Sequence, residues 1–346
     1  ASPPPNAVTS EVAMLSLELT PEFLWLRRSG GTGDDQAFAT ATDGTNAVYV
    51  AGLFTGTNPA FTNLTSAGGT DIFLTKYDGA GNLLWAKRAG GTSADAAQAI
   101  RVDKDGNILV AGYFYSSTAT FGAITVTNKS SPVAGFSDLF LAKYDSEGNA
   151  LWVKSASGSA NDQATAIALD DGGNAYLTGS FHAGAVFGNI GLTNSGSTNM
   201  FVAKFDPDGN VLWARTTSGT NYSQGSGVCV DAETNVYLTG FLFGSLNLGS
   251  GSITNTNSIF TFGNATSFVA KYDRDGNLQW LRRGLGGSGF GQNIMADRYG
   301  AIYATAYKRD YGQTFLLTKY DVAGNVIWTR TNAIGCCTSD YLFANG

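Results

Sequence analysis

Three aspartates each stand eight residues ahead of a second one: Asp35 before Asp43, Asp95 before Asp103 and Asp162 before Asp170. Carboxylates gathered in pairs or rings hold cations and polar ligands, or divide the acid and base roles of glycoside cleavage. Further along the chain the same position is Ser223 and then Gly289, so a complete ring of carboxylates is excluded. The alternative is structural, with each Asp bonded to neighbouring main chain. The sequence leaves both readings open.

Other reactive groups are scarce. His182 is the only histidine, which excludes a zinc site built on histidines and makes any Ser-His-Asp triad depend on one residue. It is expected as a solvated loop residue. Turns such as Asp103-Lys104-Asp105-Gly106-Asn107 invite a calcium reading. An EF-hand loop places its Gly sixth and closes on a Glu, however, whereas here Gly is fourth and no Glu closes the loop. No cofactor is expected, calcium being the one ion weighed.

Two long segments carry a different chemistry: YFYSSTATFGAITVTNKSS (113–131) and FLFGSLNLGSGSITNTNSIFTFG (241–263). Aromatic plates beside amides and hydroxyls suit sugars, which offer apolar C–H faces and a hydroxyl rim, and they suit protein contacts equally. The candidate contacts are Tyr113, Phe114, Tyr115, Phe181, His182, Phe241 and Phe243, with Asp35, Asp95 and Asp162 as the acidic set.

The elements that hold these residues are repeats. FLTKYDGAGNLLWAKRAGG (73–91) returns in related form at 140–158, 201–219, 268–286 and 316–334. All six tryptophans, Trp25, Trp85, Trp152, Trp213, Trp280 and Trp328, occupy one repeat position, and a Lys or Arg follows each by two residues. The bland reading of that pair is an indole packed between repeats with the cation stacked above it.

Each period holds four short runs separated by turn signals. The first ends in Asp, as in TAIALD (165–170); the second reads like NAYLTG (174–179); the third is the FLxKYD run and the fourth the LLWxK run. Asp opens the turns and Gly or Asn takes the left-handed position, so runs one and two, and runs three and four, form hairpins. No segment carries a sustained 3.6-residue apolar period. Four antiparallel strands repeated about every 60 residues are the signature of a β-propeller, an all-β fold.

The repeats are assigned to about 29–88, 89–155, 156–216, 217–283 and 284–331, after an N-terminal extension at 1–13. A sixth, split blade is expected from 14–28 together with 332–346, closing the ring. In such a fold the strand two–three loops (roughly 53–71, 113–138, 180–199, 241–266 and 307–313) share one face and vary most in length. That face is where recognition is expected.

Composition agrees with a turn-rich β chain. Only 14% of the 346 residues are charged, against about 25% in ordinary globular proteins, while 45 are glycine. The net charge of −6 without a basic block argues against nucleic acid. No apolar run is long enough to span a membrane as a helix. The start, Ala1-Ser2-Pro3-Pro4-Pro5, reads as a mature end after signal-peptide removal or as a trimmed chain. Of three cysteines, Cys229 is expected buried and Cys336–Cys337 a vicinal pair, the alternative being a disulfide to Cys229 or to another subunit.

The TAIALD-like run, the GNAYLTG-like run, the phrases Phe121-Gly122 and Phe187-Gly188, and FVAKYDRDGNLQW (268–280) resemble the bacterial SBBP-type β-propeller repeats over roughly 14–334. The resemblance implies a propeller in a secreted or cell-surface bacterial protein and implies no catalytic residues. The family name implies seven blades, whereas the repeats here count to six. The expected function is a non-enzymatic binding or adhesion module whose partner is an extracellular glycan or protein. The alternatives are a self-associating structural subunit of a filament or surface layer, and a polysaccharide-active enzyme using Asp35, Asp95 and Asp162.

Overall fold

The computed structural model describes residues 25–28, 30–31, 33–62, 64–129, 135–156, 158, 160–194, 197–219, 221–255, 265–284, 289–308 and 314–333. Five antiparallel blades of four main strands follow one another along the chain, each in sequential strand order, and loop strands extend the sheets of the first and fourth. Blade 1 is Asp35–Thr42, Val48–Phe54, Asp71–Tyr77 and Leu83–Gly90; blade 2 is Asp95–Val102, Ile108–Phe114, Asp138–Tyr144 and Ala150–Ala156. Blade 3 is Asp162–Leu169, Ala175–Phe181, Asn199–Phe205 and Val211–Thr216; blade 4 is Asn221–Val230, Val236–Asn247, Thr266–Tyr272 and Leu278–Arg283. Blade 5 is Phe290–Ala296, Ile302–Lys308, Thr314–Tyr320 and Val326–Ala333. The only helical turn among the described residues is the 3₁₀ turn Pro59–Phe61.

The core lies between blades, because a lone sheet leaves both faces wet. One apolar cluster joins blades 1 and 2 through Leu74, Ile100 and Phe140, and the next joins blades 2 and 3 through Leu141, Ile167 and Phe201. A third joins blades 3 and 4 through Val202, Leu238 and Phe268, and a fourth joins blades 4 and 5. The first strands of successive blades pack in order. This face-to-face stacking is propeller-like. The split closing blade at 14–28 and 332–346 falls mostly outside the described residues.

The repeated phrase has a mechanical explanation. Tyr49, Lys76 and Trp85 stand directly opposite one another on three adjacent strands. The Tyr49 hydroxyl donates to Asp43 at 2.9 Å, Lys76 sits 5.1 Å from the Tyr49 ring centre, and the Trp85 ring lies 6.2 Å from Tyr49. The same row recurs as Tyr176–Lys204–Trp213, Tyr237–Lys271–Trp280 and Tyr303–Lys319–Trp328. Blade 2 has Leu109 in place of Tyr, and Lys143 there bonds Asp103 directly at 3.1 Å.

Five of the six tryptophans then grip the next blade. The indole N–H of Trp25, Trp85, Trp152, Trp213 and Trp280 donates to the main-chain oxygen of Gly79, Ser146, Pro207, Arg274 and Val322, at 3.0–3.2 Å. Every acceptor directly follows the Asp that opens a strand three–four turn. Arg27, Arg215 and Arg282 bond the glycine carbonyl of the same turns at 2.7, 2.9 and 3.0 Å. The expected indole-and-cation packing is therefore a clasp between neighbours, with Arg215 and Arg282 stacked on their own tryptophans.

The turns are held by their aspartates. Asp78 Oδ1 accepts from the N–H of Ala80 and of Asn82, and Oδ2 accepts from the Asn82 amide. The Asn82 side chain and N–H hold the Asp78 carboxyl below the usual range. Burial pushes Asp43 up, but bonds from Thr45, Tyr49 and Ala47 outweigh it and bring it down to about 2. These carboxylates are already engaged by their own hairpins.

The strand two–three loops are less free than the sequence suggested. Four contain short hairpins of their own, 57–65, 118–127, 185–192 and 245–254. The hairpin of blade 2 pairs with the outermost strand of blade 1 through Ala89↔Phe121 and Gly90↔Thr120, covering an exposed edge. Phe61, Phe121 and Phe187 are buried, each against a third-strand Phe at 4.8–4.9 Å. The Phe-Gly phrases are anchors.

Candidate functional site

The acidic set does not line an open site. Asp95 and Asp162 are fully buried at the blade junctions and Asp35 is half-buried. Asp35 Oδ2 accepts from Gly31 N–H at 2.6 Å and Oδ1 from the Asn58 amide at 3.4 Å. Asp95 Oδ2 accepts from Gly91 N–H at 2.7 Å and the Ser116 hydroxyl at 2.8 Å; its Oδ1 accepts from the N–H of Tyr115 and Ser116. Burial nonetheless raises the Asp95 carboxyl, with hydrogen bonds from Ser116 and Gly91 opposing. Each Asp holds the loop ahead of its own strand, the structural alternative. Asp95 and Asp162, sealed between sheets, are not open to a polysaccharide, whereas Asp35 is only half-buried.

His182 also departs from expectation. It is half-buried, with Nδ1 2.9 Å from Asn161 O and Nε2 2.7 Å from Thr198 Oγ1. A carbonyl can only accept, so Nδ1 donates to Asn161 O, while Nε2 shares a hydrogen bond with the threonine hydroxyl. The ring ties the start of the blade 3 loop to its end. Asp162 Oδ1 accepts the His182 main-chain N–H at 3.2 Å, so the histidine belongs to the same junction.

The aromatic candidates divide. Phe114 and Phe181 are wholly buried and Phe243 nearly so, which corrects their expected role as ligand plates. Tyr113 and Tyr115 are half-buried and meet edge to face at 5.7 Å. Phe241 belongs to a larger cluster that pattern reading missed. It stacks on Tyr222 at 5.7 Å and 19°, and meets Phe290 at 4.7 Å, with Phe243 behind them. Tyr222, Phe241 and Phe290 are half-buried, and the Tyr222 hydroxyl donates to Gln224 Oε1 at 2.6 Å. The missed signal was register: Tyr222 and Phe290 open the first strands of blades 4 and 5, beside the end of the second strand.

Other places are less suited. A groove of about 460 Å³ over the blade 3–4 clasp is lined by Lys204, Leu212, Trp213, Arg215, Arg274 and Asp275, most of them already committed to the clasp or its rim. Arg101 is the exposed first-strand residue opposite Leu109, and its guanidinium donates to Ile100 O. Among the described residues Cys229 is free and half-buried, while Cys336 and Cys337 lie outside them. Burial pushes the Cys229 thiol up, away from reactive thiolate character. No group of three or more His, Cys, Asp or Glu among the described residues is placed to hold a metal. No helix among them is long and apolar enough to cross a membrane.

No family model matches the chain. It is similar to an uncharacterized WD repeat-containing protein of Acanthamoeba polyphaga mimivirus, 23% identical over 80% of this chain and 24% of that protein. It is also similar to the regulatory protein FlaEY of Caulobacter vibrioides, 32% identical over 41% of this chain and 15% of that protein. The chain thus spans a quarter or less of the length of these relatives. Among solved structures, a Bacteroides caccae protein of unknown function aligns over 86% of this chain and 82% of its own, at 12% identity and a TM-score of 0.46. A gluconolactonase from Xanthomonas campestris aligns over 90% of both chains at 12% identity and a TM-score of 0.38.

Proposed function

We propose that this chain is a non-catalytic binding propeller of the SBBP repeat type, working outside a bacterial cell. Its recognition surface is the face of the strand two–three loops. The observation that carries this reading is the half-buried cluster of Tyr222, Phe241 and Phe290 beside Gln224. Flat rings flanked by an amide recognise the C–H face and hydroxyls of a sugar, or an apolar side chain of a protein. A glycan array, followed by calorimetry on the best ligand, tests the glycan arm. Phe241→Ala together with Tyr222→Ala should cut affinity at least about tenfold while circular dichroism stays unchanged. A glycan or protein ligand bound equally well by this variant removes the cluster from the function.

A second reading, a self-associating structural subunit, is favoured by one feature. Six tryptophans stand at the clasp position, and five of them grip a following turn. Trp328 and Arg330 stack on each other at 5.9 Å, and no turn among the described residues receives them. Ring closure by the chain's own split blade fills that position in a monomer, whereas a neighbouring copy fills it in a filament. Concentration-dependent polymers by light scattering, abolished by Trp328→Ala, support the filament. A monomer at all concentrations removes it.

A further inference from the structure

The first strands pack side by side around the axis of the stack, and one position in them is uncharged in every blade but one. Ala41, Ala168, Cys229 and Met295 stand opposite the row tyrosines Tyr49, Tyr176, Tyr237 and Tyr303. In blade 2 the tyrosine is replaced by Leu109, and the residue opposite it is Arg101.

Solvent reaches the Arg101 side chain, yet burial holds its guanidinium below the usual arginine value, with Cys229 opposing. Burial and the charge of Asp231 push the Cys229 thiol up, and Arg101 in turn opposes them. Cys229 belongs to blade 4, two blades on, so the two side chains act on each other across the axis. The guanidinium therefore stands in a concavity, wet on one side and enclosed by protein on the others.

No carboxylate among the described residues pairs with this cation. Asp103, two residues on, is taken by Lys143 at 3.1 Å and by the Asn107 amide. The matching aspartates of the other blades, Asp43, Asp170, Asp231 and Asp297, accept from their row tyrosines.

The hydrogen bonds of Arg101 show which edge of the group is free. Its Nη1 donates to the carbonyl of the preceding residue, Ile100, at 2.8 Å. Arg215 and Arg282 do the same, to Ala214 O and Leu281 O. Their other edge is filled by a pair of turn carbonyls: Nε and Nη2 of Arg215 donate to Gly276 O and Asp275 O, and those of Arg282 to Gly324 O and Ala323 O. The Nε–Nη2 edge of Arg101 has no acceptor among the described residues. Two parallel N–H donors on a planar cation match the two oxygens of a carboxylate. A partly desolvated charge without an acceptor is costly, and a bound anion removes that cost.

We propose that the Nε–Nη2 edge of Arg101 binds a small carboxylate on the axial side of the blades. The ligand supplies the two oxygens that turn carbonyls supply to Arg215 and Arg282, and Ala41, Ala168, Cys229 and Met295 set no rival charge around the axis. The site is apart from the strand two–three loop face and stands whether or not the aromatic cluster binds a ligand.

The test is an acetate titration of protein labelled with ¹⁵N-arginine, in a buffer free of other carboxylates. It follows the Arg101 Nε–H resonance, identified by its loss in Arg101→Ala. One saturable shift with a Kd on the order of 1 mM is expected for a ligand of so few atoms, and Tm should rise with acetate. Arg101→Ala copies Ala41 and Ala168, so it should fold, and its Tm should not respond. Arg101→Lys keeps the charge without the fork and should lose most of the Tm response. Chloride should compete weakly. A shift that does not saturate overturns the proposal, as does a Tm gain shared by Arg101→Ala, which is the general effect of added salt. A full response in Arg101→Lys, or chloride competing as well as acetate, means that charge alone is read and overturns the carboxylate.

Discussion

The clasp between blades makes a sharp prediction at Gly276. This glycine lies in the blade 4 turn with φ +78, and a Cβ there would stand 2.8 Å from Trp213 Cδ2 of blade 3. Gly106 is the control: its φ is +82, and nothing lies within 4 Å of an added Cβ. Gly106→Ala should cost only the left-handed strain, about 1 kcal/mol. Gly276→Ala adds an overlap that pushes the indole off the turn, stretching the bonds from Trp213 to Arg274 O at 3.0 Å and from Arg215 to Gly276 O at 2.9 Å. Overpacking of this kind costs about 1–3 kcal/mol, so the total should be about 2–4 kcal/mol. Trp213 is 7% exposed, and Trp213→Ala alone should cost about 3–5 kcal/mol. In that background the overlap is gone, so Gly276→Ala should again cost about 1 kcal/mol, leaving a coupling of about 1–3 kcal/mol. Urea unfolding followed by circular dichroism measures all four corners without relying on the deleted fluorophore. Equal costs for Gly106→Ala and Gly276→Ala, or an undiminished cost in Trp213→Ala, would refute the clasp as the reason for the repeated phrase.

Phe121→Ala should destabilise by about 3–5 kcal/mol, since the ring is buried against Phe140 at 4.9 Å. Val186→Ser on the neighbouring loop hairpin, 52% exposed, should fall within about 0.5 kcal/mol of wild type in the same denaturation assay. Lys143→Met strips the partner from Asp103, the two side chains being 9% and 4% exposed, and should cost about 3–5 kcal/mol. Lys76→Met, where the lysine rests on a tyrosine, should cost clearly less by the same measurement. Folding depresses the carboxyls of Asp43, Asp78 and Asp321, so their contribution is present above the unfolded value of 3.8 and is lost as pH falls through the folded values, about 2 for Asp43. Thermal scans should show Tm falling across that window, and Asp78→Asn should make the fall shallower.

Much of this architecture is legible from the chain alone because it is written five times. Asp at a turn's opening, Gly or Asn at its left-handed position, and alternating apolar runs act within a few residues, so hairpins such as Asp78–Asn82 follow without knowledge of the fold. The Trp-x-Lys/Arg phrase was legible as packing between repeats for the same reason. Its acceptor was not, because the bond from Trp85 spans 61 residues to a carbonyl that any side chain could precede.

The candidate site was read less well. Asp95 and Asp162 stood out by spacing, yet spacing says nothing of solvent, and each proved to be sealed beside a second aspartate from the preceding blade. Phe114 and Phe181 resembled loop plates, but each is the last residue of a second strand and is buried. Tyr222 and Phe290 lie 68 residues apart and meet around Phe241 only because first strands of adjacent blades pack side by side. The sequence by itself determined the strand, the turn and the repeat, since these depend on local sterics and on a two-residue period. Which carboxylates share a junction, which rings share a cluster and which loops cover an edge were decided only by the tertiary structure. Those outcomes depend on how neighbouring sheets stack, and no single blade encodes its neighbour.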